Sequence, residues 1–442
     1  MTAQPLAPVK QALLQHLHQD LLPELEQLLG TLPDDLRSFA QAEATLRGGL
    51  LLLARRLLQC WSQAAGRIVE RPSCPHCGVP MRHKGQLVAS LVSTLGDVAY
   101  CRPRWRCQDC GSECYPHDAA VRFGSHGVSW LLAKVCSRLA AQIPSFEDAR
   151  DTLREDYGVR LATETVRTIA EAAGQAVLQQ EDRYRAAVAG RQTDLPQSEA
   201  TPARAYLDAD GTMLHTEGDW HEIRVNVVCT EDAHGQPLQR RSQARFLPPA
   251  AVGWLLVLMA RSVGYQHAGQ RGFIADGAAW LWKLQQEYFG GAIAILDWYH
   301  LAEKVHAAAN GLYGEGTVAA TQWAEQLKAD LWDGRAAAVL DAVRAQEVRT
   351  RSPTKRAAVH ALRTYLENQA GHVDYPRYRE LGLAVGSGPV EGACKSLVGA
   401  RCKQAGMRNW TYGGAEAILR LRAARQDGTF DDLWQRHLRI AA

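Results

Sequence analysis

The chain has 442 residues, 22% charged and 46% hydrophobic. These values sit near globular averages and exclude a collagen-like, disordered or disulfide-dense scaffold. Fifty Lys and Arg against 47 Asp and Glu leave a net charge of +3, so any surface that binds a polyanion must be a local patch. Only nine of those cations are Lys, a bias that suits bidentate phosphate contacts and that genome composition alone also produces. At about 150 residues per domain the length predicts two to four units.

The first thirty residues mix Lys10, His16, Asp20 and Glu24 into a leucine pattern and contain no apolar stretch followed by a small-residue cleavage site, which predicts a cytoplasmic protein. The most apolar run, Gly49-Leu50-Leu51-Leu52-Leu53-Ala54, stops at Arg55-Arg56, far short of the ~20 residues needed to cross a bilayer, so no membrane partner is expected. Residues 1–70 repeat Leu and Ala at helical spacing, which predicts two or three amphipathic helices that either cover a neighbouring core or pair with a second copy.

From 71 to 118 the texture changes to short alternating runs (86–93 and 97–105) bounded by Cys74-Pro75-His76-Cys77 and Cys107-Gln108-Asp109-Cys110. Two such knuckles, 29 residues apart with room for a hairpin, predict a structural Zn2+ held by Cys74, Cys77, Cys107 and Cys110 in a closed tetrahedral shell. Cys101 or Cys114 could replace one ligand. Arg102, Arg104 and Arg106 share one strand face and form a candidate DNA-phosphate track, or alternatively offset the charge of the metal-bound thiolates. Residues 119–190 read as helical. Within them Ser145 caps a helix over 146–155, and Thr163 caps a second carrying Thr165, Arg167 and Thr168, a spacing that fits either a helix-turn-helix or an ordinary hairpin. The polar, Pro-bearing stretch 190–202 reads as a linker.

Beyond it the pattern predicts strands over 203–213, 222–230 and 239–246, a helix over 248–263, a strand over 272–276, a helix over 278–289 and a strand over 292–297. Three consecutive strands followed by alternating helix and strand describe a mixed sheet in the order of the ribonuclease H-like fold. Acids recur at the strand ends: Asp208 and Asp210 lie on one face of the first strand, Asp276 closes the fourth and Asp297 the fifth. Such edges are where open sheets bind ligands. Two carboxylates ~4 Å apart repel by about 4 kcal/mol at an effective dielectric of 20. A hard cation, Mg2+ or Mn2+, relieves that repulsion and in pairs drives in-line displacement at phosphorus. Taken singly, Asp276 and Asp297 also suit helix N-caps, and Glu391 in Ser387-Gly388-Pro389-Val390-Glu391 suits the third position of a helix with Pro at its first.

The stretch Gly386-Ser387-Gly388-Pro389-Val390-Glu391-Gly392-Ala393-Cys394-Lys395, with Arg401, Lys403 and Gly406-Met407-Arg408, resembles the C-terminal signature of DDE transposases of the bacterial ISKra insertion-sequence family. So do Asp210-Gly211-Thr212, Asp276-Gly277-Ala278-Ala279-Trp280 and Leu296-Asp297-Trp298-Tyr299-His300, the last similar to an element shared with Mutator-like transposases. The resemblance covers about residues 70–425. It implies a magnesium-binding catalytic triad of Asp210, Asp276 and Glu391, with Asp208 as the fallback first acid and Asp297 and His300 as accessory residues. It also implies an all-helical insertion over 301–375 between core halves 203–300 and 376–442, where the residues themselves read as helix at 319–331, 336–348 and 355–368. The expectation is therefore a multidomain α+β and α/β protein that binds its element's double-stranded DNA ends, as a homodimer or higher oligomer, and cuts and joins them with two metal ions. A zinc-dependent DNA-binding regulator or a plain nuclease of the same fold is the alternative. Lys395, Arg401, Lys403 and Arg408 follow Glu391 as candidate DNA contacts; from 390 to 442 nine cations face five acids.

Overall fold

The structure is a computed structural model that describes residues 8–65, 70–404, 407 and 409–438. It contains helices and two sheets and divides into two compact units, one of residues up to Ala173 with those from Trp434 on, the other Gly174–Leu433. The division falls inside the helix Thr163–Ala189, while 190–202, expected to be the linker, carries no helix or strand. No helix among the described residues is long and apolar enough to cross a membrane.

In the first unit, helices Pro8–His16, Leu22–Gly30 and Phe39–Ala65 follow the leucine periodicity. They precede a three-stranded antiparallel sheet of β1 (Arg82–Ser93), β2 (Gly96–Arg106) and β3 (Glu113–Cys114), in that spatial order. The β1–β2 turn closes because Gly96 adopts φ +97° and the Ser93 hydroxyl bonds the Gly96 carbonyl and the Leu95 amide. The turn half of this ribbon is anchored: the Ser62 hydroxyl donates to the Ala99 carbonyl, and Val92 pairs with Gly127 and Ser129. The other half stands free, since the first seven residues of β1 are all exposed. Helix Phe146–Tyr157 begins at Ser145, whose hydroxyl accepts from the Asp148 amide, and ends at Gly158 with φ +65°, as the capping pattern dictates. The next helix starts one residue earlier than read from sequence: the Val166 amide bonds the Ala162 carbonyl, so Thr163 is the first helical residue and not the cap. Arg167 is bound to Glu164 and Glu171 on its own helix.

The second unit is built on a five-stranded sheet of β4 (Arg204–Thr216), β5 (Asp219–Glu231), β6 (Pro237–Arg245), β7 (Gln270–Ala275) and β8 (Ile293–Leu296). Its spatial order is β6-β5-β4-β7-β8; β4 runs antiparallel to β5 and parallel to β7, and β7 runs parallel to β8. All five strands match the sequence-predicted positions within a few residues. Ala205, Leu207, Phe273, Ile274 and Ile295 join helices Pro249–Ser262 and Ala279–Phe289 in one buried core, which continues without a break into the helices of 298–380. The helical segment predicted before Glu391 is present as Val318–Trp332, Ala336–Arg349 and Pro353–Gln369.

Candidate metal centres

The four predicted thiols meet. Cys74, Cys77, Cys107 and Cys110 each offer a sulfur within 4.8 Å of the others, with Cys74 and Cys107 buried and Cys77 and Cys110 exposed. Each knuckle is shaped by its own backbone. The Gly78 amide donates to the Cys74 carbonyl and the Cys74 amide to Val79, while the Cys107 amide donates to Ser112. Gly78 (φ +71°) and Gly111 (φ +73°) follow the second cysteine of each pair in the left-handed conformation that a side chain disfavours. The Ser112 hydroxyl, 2.8 Å from Cys110 Sγ, pulls that thiol down to about 6, and hydrogen bonding to Cys110 pushes Cys77 up to about 12. Four soft sulfur donors in a closed shell fit a structural divalent metal. Cys101 and Cys114 stand outside the group, Cys114 packing against the small core of Met81 and Trp105.

The nearby arginines are not equivalent. Arg102 pairs with Asp118 at 2.6 Å and lies over the Tyr115 ring, and Arg104 pairs with Glu113. Arg106 is exposed and enters no ion pair among the described residues.

In the second unit the acids line the C-terminal edge of three neighbouring strands. Asp208 lies on β4 opposite Ile274 of β7, Asp276 follows β7, and Asp297 follows β8, its amide bonded to the Ala275 carbonyl. The even-numbered face of β4 is covered in register by the segment that contains Glu391. The Tyr206 hydroxyl accepts from the Ala384 amide, Cys394 Sγ lies 3.7 Å from Asp210 Oδ2, and Lys403 Nζ donates to the Thr212 hydroxyl at 2.6 Å.

Burial, and after it the charges of Asp297 and Asp210, hold Asp208 well above the usual carboxylate range; its Oδ2 is buried without a hydrogen-bond partner. Burial, with the charge of Asp276 behind it, also raises Asp210, against the Gly211 amide that donates to Oδ1 at 2.7 Å. Hard oxygen donors along one sheet edge whose repulsion a cation would relieve, one of them orphaned, fit a hard cation. The triad Asp210, Asp276 and Glu391 does not itself form a group within 4.8 Å among the described residues; the group that does is Asp297, His300 and Glu391. Asp210 and Asp276 are each turned to a local donor, Asp276 to the Ala278 amide at 2.8 Å, and like charges have no reason to approach further.

Asp297 is fully buried and acts as a backbone clamp. Oδ1 accepts from the His300 amide at 2.7 Å, capping the helix Trp298–Tyr313, and Oδ2 accepts from the Ser387 amide. The Trp298 amide bonds the Val385 carbonyl beside it. Burial opposes the Asp297 charge, but the hydrogen bonds from His300 and Ser387 outweigh it and leave the carboxyl below its ordinary value. His300 Nδ1, 3.5 Å from Asp297 Oδ1, is an ion pair and not an aligned hydrogen bond; the carboxylate raises the imidazole to about 9 against burial. Both Asp297 oxygens hold backbone amides, so this trio also serves as the anchor that seats Glu391 four residues beyond Ser387. The Ser387 hydroxyl, 3.3 Å from Glu391 Oε1, belongs to the same anchor.

Two residues that the sequence did not single out hold Asp276. Tyr365 donates to the Asp276 carbonyl and Gln369 to the Gly277 carbonyl, both at 2.9 Å, and Gly277 has φ +96°. Both clamps come from helix Pro353–Gln369, so the helical segment fixes this turn. Of the four cations after Glu391, Lys395 and Lys403 are exposed, and Lys395 lies 3.8 Å from Glu391 Oε2. Arg401 corrects the sequence reading: it is buried, 1% exposed, with its guanidinium over the Trp410 ring, and it presents no surface to DNA. Arg408 lies outside the described residues.

No protein-family model and no curated protein match this chain.

Proposed function

We propose that this protein is a DDE-type DNA transposase that binds the ends of an insertion sequence, hydrolyses phosphodiester bonds there and joins the freed 3′-hydroxyl to target DNA. The observation that carries the reading is that Asp208 and Asp210 of β4, Asp276 after β7 and the segment that carries Glu391 lie along one edge of a sheet ordered as in ribonuclease H-like proteins. The chain's resemblance to ISKra-type signatures falls on those same residues. Asp210, Asp276 and Glu391, with Asp208 behind them, would hold Mg2+, which when bound supplies an activated oxygen nucleophile and a stabilised leaving group. The residues themselves contribute position: Asp297 seats the Glu391 turn, Tyr365 and Gln369 fix the Asp276 turn, and Cys394 lies against Asp210. Cys74, Cys77, Cys107 and Cys110 would hold a structural Zn2+. Two element ends handled together call for at least a dimer on DNA.

Labelled element ends incubated with protein and Mg2+ test the proposal. Joined products are expected; nicks without joining would make the protein a nuclease, and a gel shift without cleavage a regulator. Asp210→Asn, Asp276→Asn and Glu391→Gln should each reduce cleavage by about 10³-fold or more, since several kcal/mol of charge stabilisation is lost, while end binding persists. A variant that cleaves normally removes its acid from the site.

A further inference from the structure

We propose that the free half of the β1–β2 ribbon is a binding surface for the phosphate backbone of duplex DNA, formed by Arg82, Lys84 and Arg106. Arg82 and Arg106 are direct cross-strand partners, so their side chains leave the same face. Lys84, two residues after Arg82, lies at the β1 irregularity between His83 and Gln86, opposite the stretch of β2 that carries Arg104. Like charges placed directly opposite each other destabilise a sheet unless something anionic is shared between them. Among the described residues no carboxylate forms an ion pair with Arg82, Lys84 or Arg106. The acid across from Arg106 on the other side is Glu113, and both its oxygens are taken, one by Arg104 and the other by the Tyr115 hydroxyl at 2.8 Å. Arg102 is likewise taken by Asp118.

On this face five cations, Arg82, Lys84, Arg102, Arg104 and Arg106, therefore meet two carboxylates, which leaves three positive charges, and the three cations without a partner are the exposed ones. Sequence alone favoured Arg102, Arg104 and Arg106; the ion pairs turn two of these into braces and bring in Arg82 and Lys84 from the neighbouring strand. The rigidity a phosphate track needs comes from the anchored turn half of the ribbon at one end and the thiol knuckles that flank its free half at the other. Duplex is favoured over single strands because the face that carries the partnerless cations has no exposed Phe, Tyr or Trp ring between them to stack on a base: Trp105 is buried and points to the opposite face, and the His83 ring packs edge-on against it there. The choice of DNA as partner rests on the function proposed above; the location of the surface does not.

The test is binding of the full-length protein to a duplex of arbitrary sequence across a KCl series, comparing Arg82→Gln/Lys84→Gln/Arg106→Gln with Arg102→Gln/Arg104→Gln, with metal content per chain measured for both. At about 0.9 unit of log-log slope per neutralised phosphate, the first variant should lose about 2.7 units and bind more than tenfold more weakly at low salt. The second should keep nearly the parental slope. The proposal is overturned by a first variant that retains its metal and the parental slope, by a second variant that loses as much as the first, or by single-stranded DNA that competes as well as duplex at equal phosphate concentration. Absence of end cleavage by the parent protein would remove the transposase reading and leave these slopes untouched.

Discussion

The two candidate metal centres are assembled in opposite ways. The thiol centre is made of two local knuckles, each closed by backbone hydrogen bonds within five residues and a left-handed glycine, and its four ligands are already together. The carboxylate centre draws on acids from positions 208, 210, 276 and 391, held by clamps that reach across about 90 residues, and its three proposed ligands do not form one group among the described residues. Thiols need not all be charged before the ion arrives, and they lose their remaining protons to it. Carboxylates repel before any ion arrives, so the protein must constrain the backbone beneath them. A local centre is thus specified by motif and a non-local one by its supports.

That contrast can be broken most severely at the thiols. Chelation, or Cys107→Ser, should release the metal and make 70–115 sensitive to limited proteolysis while Gly174–Leu433 stays resistant, because structural zinc contributes on the order of 10 kcal/mol to modules of this kind. An unchanged cleavage pattern would remove the structural role, and Cys101→Ser and Cys114→Ser should leave metal content intact. At the carboxylate edge, Tyr365→Phe combined with Gln369→Leu strips two donors from the Asp276 turn. Cleavage should drop about 10- to 100-fold at unchanged DNA affinity, the size expected for lost outer-shell support. Equal cleavage by this variant would make the helical segment a bystander.

A smaller effect is expected from Asp297→Ala. It deletes a helix cap and leaves the Ser387 amide buried without an acceptor, so the urea midpoint of the second unit should fall by an amount equivalent to about 1–3 kcal/mol. Asp297→Asn, which keeps an acceptor, should fall less. Smallest is the pH dependence of the His300 pair. Its folded value is raised to about 9, so its contribution is complete below the ordinary imidazole range near 6.5 and disappears as pH rises through 9. The depressed Asp297 carboxyl acts at the other end: its contribution is present above the ordinary Asp value and lost as pH falls through its lowered folded one. The melting temperature should therefore decline from pH 7 to pH 10, and His300→Gln should flatten that decline. A parallel decline in the variant would show that other groups cause it.

What could be read from sequence follows the same division. The knuckles, the alternation of β4 and the Ser145 cap are local patterns whose chemistry lies within a few residues, and each is found where expected. Tyr365 and Gln369 had no signature, because they act on main-chain carbonyls through a contact that only the packed core creates. Arg401 was misread because charge periodicity cannot distinguish a solvated cation from one stacked on Trp410. The pairing of two of the three β2 arginines escaped the sequence for a simpler reason: their acids, Asp118 and Glu113, lie just past the strand that carries the row.

The clamp between Asp297 and Ser387 also sets an order of events during synthesis. At about 5–20 residues per second, roughly 5–20 s separate the emergence of the two partners from the ribosome. Throughout that interval a carboxylate destined for a sealed interior has lost half of its hydrogen-bond donors to the future. The second unit's edge is therefore a late-closing seam, and a nascent chain stalled inside the helical segment would be the form most exposed to proteases and to aggregation.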